Sequence, residues 1–133
     1  MSKAQRLRLK STVLQKEILE ELEALAKTFD RSETMIVELK EEMEEVNRKH
    51  QNRNGTQDDI HYLEDLLRCA KKKLVWEKQM EKLSTRTPAI MQKVSACMND
   101  PINPPADHTR TAVLGLLQNV QAAMERLEKA KVA

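Results

Sequence analysis

Three histidines, two cysteines and several adjacent carboxylates are the side chains here with the capacity for metal binding, nucleophilic attack or proton transfer. Their spacing assembles none of those chemistries. His50, His61 and His108 fall at the end of an apolar stripe, early in a helical segment and in a cap region. No HExxH, CxxC or calcium-loop pattern sets ligands at a usable separation. Cys69 as a nucleophile would need a base and an oxyanion hole, and no sequence feature builds a rigid pocket around it. Gly55 and Gly115 are the only glycines, too few for a phosphate-cradling loop. Asp58-Asp59 and Glu64-Asp65 read as acids near a helix N-terminus, where they complement its dipole. The expectation is a non-enzymatic chain with no catalytic residue, no cofactor and no metal.

The elements that carry these residues are long helices. Charged residues make up 33% and aromatics 2% of the 133 residues, with one Phe, one Tyr and one Trp, so burial must come from aliphatic and Met stripes. Leu22, Leu25, Phe29, Ser32, Ile36, Leu39, Met43, Val46 and His50 follow one another at spacings of 3 and 4, a heptad seam continued upstream by Leu14 and Ile18 across a stutter. A helix with such a stripe needs neighbours alongside it. The spacing predicts an all-α chain of four helices, about 4–52, 57–83, 88–98 and 107–131, forming an elongated antiparallel hairpin or bundle. Asn54-Gly55 marks the turn, Thr56 an N-cap, Thr87-Pro88 a fresh helix start, and the Pro-rich segment 99–106 a stiff linker. Residues 1–133 are expected to form a single domain.

The second segment carries two apolar stripes. One is Ile60, Leu63, Leu67, Ala70 and Leu74; the other is Tyr62, Leu66, Cys69, Trp76, Met80 and Leu83. The first helix is expected to pack on Leu63, Leu67, Leu74 and Trp76. Val113, Leu117, Val120, Met124 and Leu127 form a further heptad stripe, and most methionines read as core filler.

Charge sets the pairing. Residues 17–47 hold eleven acids and three bases, a net −8, whereas residues 66–98 hold eight bases and two acids, a net +6. A turn at Asn54 brings residue i beside residue 108 − i and lays the basic segment on the acidic one. Each exposed pair contributes only about 0.2–1 kcal/mol, but the pattern favours this hairpin over other pairings. A parallel copy of the seam would face Thr28 with Glu33, Met35 with Lys40 and Glu42 with Asn47, none of them a salt bridge. Lys71-Lys72-Lys73 thus reads as a paired or solvated face rather than a nucleic-acid patch.

The apolar surface exceeds what one hairpin can bury, so the expectation is hetero- or homo-oligomerisation through helices, the alternative being a self-contained four-helix bundle. The partner-binding residues are taken as Leu14, Ile18, Leu22, Leu25, Phe29, Ile36, Leu39, Met43 and Val46. The start of the chain, 1–16, forms a basic arm with Lys3, Arg6, Arg8, Lys10 and Lys16 and no acid. Arg6, Arg8 and Lys10 are the candidates for an acidic contact such as a microtubule or nucleic acid. No membrane span and no small-molecule substrate are expected, and the cysteine usage fits a cytoplasmic or nuclear chain. The architecture loosely resembles small helical subunits of spindle, kinetochore and vesicle-tethering complexes. That resemblance implies a structural, non-enzymatic coiled-coil subunit, and it assigns no residue a role.

Overall fold

The computed structural model describes residues 1–132, with side chains described through Ala130. It contains three helices and, among the described residues, no strand: α1 (Lys3–Lys49), α2 (Thr56–Met98) and α3 (Asp107–Val132). α1 runs 47 residues without interruption, roughly 70 Å at ~1.5 Å per residue. Ser2 caps it: the Ser2 hydroxyl accepts the Gln5 N–H and the Gln5 side chain accepts the Ser2 N–H. The sequence carries the signature of this capping box as Ser2-x-x-Gln5.

α2 returns antiparallel to α1. The indole N–H of Trp76 donates to the Ser32 carbonyl at 2.9 Å, and the Tyr62 hydroxyl donates to Asn47 at 3.0 Å. Those pairs sum to 108 and 109, on the register that the charge pattern and the Asn54-Gly55 turn predict. Gly55 takes φ +91 at the start of α2, a backbone state that favours glycine. The N-cap is therefore Gly55 rather than Thr56, and α1 ends at Lys49 rather than near residue 52.

The expected third and fourth segments are corrected to one continuation and one helix. α2 does not stop at Leu83 and restart at Pro88; it runs through Pro88 to Met98. A Pro inside a helix costs ~3 kcal/mol, because it removes one backbone donor and crowds the preceding turn. Here the cost is offset by an unbroken buried face of Leu83, Thr87, Ile90, Val94 and Cys97. Pro88 and Ser84 both lie on the exposed side, where water reaches the carbonyl that Pro88 leaves without a donor. Thr87 folds its hydroxyl back onto the Leu83 carbonyl at 2.7 Å, so the polar group is buried but satisfied.

The 99–106 linker turns the chain back along the first third of α1. Asp100 accepts the Ser11 hydroxyl and, at 2.9 Å, the Ile102 N–H. Asn103 bonds Gln15 and Thr12, at 2.9 and 3.1 Å. α3 then runs parallel to α1, tied by Arg126 to Glu33 at 2.8 Å and by the Lys40 ammonium to the Ala130 carbonyl. Val113, Val120, Ala123 and Leu127 meet Ile18, Leu22, Leu25, Phe29 and Ile36 in one core. α3 lies more loosely against α2: a groove of about 270 Å³ between them is lined by Phe29, Met80, Leu83, Thr87, Met124 and Leu127. Met124 is consequently exposed although it sits on the heptad stripe.

Leu22 is fully buried where all three helices meet, so Leu22→Ala should lower stability by about 2–5 kcal/mol in urea unfolding. Pro88→Ala should raise it by about 1–3 kcal/mol, since Ala restores the missing donor inside a helix that already exists.

Candidate interaction surface

Of the nine residues taken as partner-binding, Ile18, Leu22, Leu25, Phe29, Ile36, Leu39 and Val46 are buried against this chain's own α2 and α3, and Leu14 is half-buried beside them. Met43 differs from its neighbours on the stripe: it is exposed. From Ser11 onward the first half of α1 is covered on its apolar side, because α2 continues past Pro88 and the linker folds back.

The expected packing of α1 on Leu63, Leu67 and Leu74 is corrected. Trp76 is buried, but Leu63, Leu67 and Leu74 are 62%, 57% and 52% exposed, and Ile60 is 43% exposed. At ~100° per residue, the buried Cys69–Trp76–Leu83 stripe and the Ile60–Leu74 stripe lie roughly 160° apart around α2. One therefore faces α1 and the other faces away from it. Isolated surface leucines are ordinary, but Ile60, Leu63, Leu67, Ala70 and Leu74 form two heptads of unpaired a/d positions. A discriminating signal was available in the charges. Arg68 and Lys72 both reach Glu42 of α1, at 3.3 and 2.7 Å. They flank Cys69 and Trp76, which marks that side as the inner one.

Around the outer stripe sit Lys71, Lys73 and Lys78, none with an ion pair or side-chain hydrogen bond. Of the Lys71-Lys72-Lys73 run, only Lys72 is paired within the chain. Lys93 also crosses to α1, meeting Glu21 at 3.1 Å. The side chains of Lys3, Arg6, Arg8, Lys10 and Lys16 likewise have no ion pair and point outward.

The hairpin tip is a polar cluster. The His50 ring meets Asp65 at 2.7 Å, Lys49 and Arg68 approach the same carboxylate at 3.7 and 3.0 Å, and the Arg53 guanidinium lies 4.0 Å over the Tyr62 ring. The His50 hydrogen bond, joined by the cations Lys49 and Arg68, holds the Asp65 carboxyl below the usual Asp range. Lys72 and Arg68 lower Glu42 in the same way, and the Ser11 hydroxyl with two linker N–H groups lowers Asp100. Burial pushes both free thiols, Cys69 and Cys97, upward, which disfavours the thiolate a nucleophile requires. Among the described residues no cluster of three or more His, Cys, Asp or Glu is placed to hold a metal, and no helix is long and apolar enough to cross a membrane.

No family model, curated protein or solved structure matches this chain.

Asp65, Glu42 and Asp100 titrate below their ordinary values of 3.8, 4.5 and 3.8 in the folded chain. The unfolded chain therefore takes up protons first as pH falls. The stabilisation from these three groups is complete above about pH 5 and is lost as pH drops through the ordinary carboxylate range toward the lowered folded values. Melting temperature should fall progressively over that interval. Asp65→Asn should be less stable at neutral pH and should show a shallower acid decline, as read by circular dichroism.

Proposed function

We propose that this chain is a structural, non-enzymatic coiled-coil subunit that mediates protein–protein assembly in a multi-subunit complex, of the cytoskeletal or kinetochore type. The supporting observation is the outer face of α2. An a/d stripe of Ile60, Leu63, Leu67, Ala70 and Leu74 is left exposed on a chain that has already buried its other long stripes. The four large aliphatic residues are about half exposed, so covering them contributes roughly 0.8–1.5 kcal/mol each, against an association cost of at least ~4 kcal/mol. The stripe thus suits a weak, reversible helix contact and is small enough to be tolerated when bare. The groove between α2 and α3 is open to solvent and lined largely by Phe29, Met80, Leu83, Met124 and Leu127. Such a division, with one set of stripes for folding and another for contact, suits a helical subunit more than a catalyst.

A second reading rests on the basic arm. Lys3, Arg6, Arg8, Lys10 and Lys16 are exposed and unpaired along the first turns of α1, an arrangement suited to docking on an acidic polymer such as a microtubule or nucleic acid.

Cross-linking of the full chain in cell extract, followed by mass spectrometry, tests the first reading. Cross-links from Lys71, Lys73 and Lys78 to other polypeptides, including further copies of this chain, should vanish in Leu63→Asp/Leu67→Asp while its helical spectrum stays the same. Unchanged cross-links would refute an assembly role for this face. Neutralising Arg6, Arg8 and Lys10 leaves assembly intact on the first reading. On the second it abolishes salt-sensitive co-sedimentation with microtubules or DNA.

A further inference from the structure

We propose that the outer face of α2 is a two-fold contact: it receives the same face of a second copy of this chain, running antiparallel. The inference rests on the assembly reading above and names the occupant of that surface. Three observations carry it.

The first is charge. Taking Ile60, Leu67 and Leu74 as a positions, with Leu63 and Ala70 as d, one flank of the stripe carries Glu64, Lys71 and Lys78 and the other carries Leu66 and Lys73. In a parallel pair opposite flanks meet, so Lys73 faces Lys78 and Leu66 faces Lys71, with one repulsion and no attraction on each side. In an antiparallel pair like flanks meet. Glu64 then lies opposite Lys71 of the other copy, twice, once on each side of the dyad. Lys73 lies opposite Leu66, which its aliphatic stem can cover while the ammonium stays in water. Along this face Asp59 and Glu64 come first and Lys71, Lys73 and Lys78 follow. The antiparallel arrangement turns the Glu64–Lys71 match into a self-complementary pair, as a two-fold interface requires.

The second is availability. Lys71 and Lys78 have no partner within the chain, and the basic side chain nearest Glu64 is the His61 imidazole at 3.8 Å, beyond hydrogen-bond reach. The cations nearest the inner side, Arg68 and Lys72, are by contrast committed to Glu42. The groups the dimer uses are those the monomer leaves unused.

The third is shape. The stripe runs from Ile60 to Leu74, and its one small residue, Ala70, lies between Leu67 and Leu74. In the register that faces Glu64 with Lys71, the dyad falls between Leu67 and Ala70. Leu67 of each copy packs into the space above Ala70 of the other, and Leu63 meets Leu74. The backbones approach closest where the side chain is smallest. Fifteen residues of helix, roughly 22 Å, make a contact below the usual ~800 Å² per partner, so the dimer is reversible and depends on concentration.

Sedimentation velocity on the full chain, from low micromolar to near-millimolar concentration, tests this. The mass should rise from the 15.4 kDa monomer toward twice that value. Leu67→Asp should remain monomeric throughout with an unchanged helical spectrum, because Leu67 is on the surface. Lys71→Glu and Glu64→Lys should each weaken the dimer by about tenfold, and Glu64→Lys/Lys71→Glu together should recover most of the loss. A monomer at every concentration overturns the proposal, as does a dimer that Leu67→Asp leaves intact or a double variant no tighter than either single. Should the chain stay monomeric while the stripe-dependent cross-links in extract persist, the occupant is a different protein and the assembly reading survives. If those cross-links are also insensitive to Leu63→Asp/Leu67→Asp, both fail.

Discussion

The hydrogen bond from the Trp76 indole to the Ser32 carbonyl fixes the register on which everything else depends. Ser32 is completely buried, and its hydroxyl turns back to the Thr28 carbonyl at 2.9 Å. The small side chain leaves room for the one tryptophan, whose buried N–H would be costly without an acceptor. A slip of a single turn would strand that donor and press the indole onto a larger residue. With the register held, Glu42 falls between Arg68 and Lys72, Glu21 beside Lys93 and His50 beside Asp65. The same alignment directs Ile60, Leu63, Leu67 and Leu74 away from α1.

Much of this was legible from residue order. The run from Leu22 to Val46 shows its 3/4 spacing without interruption, and acid-rich α1 beside base-rich α2 fixes direction as well as pairing. Trp76 and Ser32 met on the expected sum of 108. Three features were obscured by competing physics. Pro88 reads locally as a helix start, yet the buried face on both sides of it carries the helix through; tertiary burial outweighed a local signal. α2 holds two apolar stripes of similar strength, and periodicity reports that a face is apolar without reporting what covers it. Met43 continues the seam in sequence yet is exposed in the fold, and the 3/4 spacing of α1 carries no signal of which seam positions are covered.

The candidate surface was visible as residues but misassigned as interior. The seam first taken as the meeting place for a partner is filled by the chain's own α2 and α3. The stripe taken as its filling is the bare one. The two roles exchange because one helix can satisfy α1 with a single face, leaving the second face of α2 without an intramolecular neighbour. Composition carries this too: with so few aromatics, each layer needs several aliphatic residues, and a chain assigning them to two faces of one helix has surplus on one.

The topology also sets an order for folding. Contacts near the Gly55 turn, such as His50 with Asp65 and Tyr62 with Asn47, close loops of 15 residues, whereas Arg126 reaches Asp30 across 96. Loop-closure entropy separates these by roughly 1.6 kcal/mol. Loop-closure entropy therefore favours a hairpin that zips from its tip toward its open end, with α3 docking onto a surface already formed. The bare stripe belongs to the part that forms first, so its leucines are presented before the rest of the chain has closed.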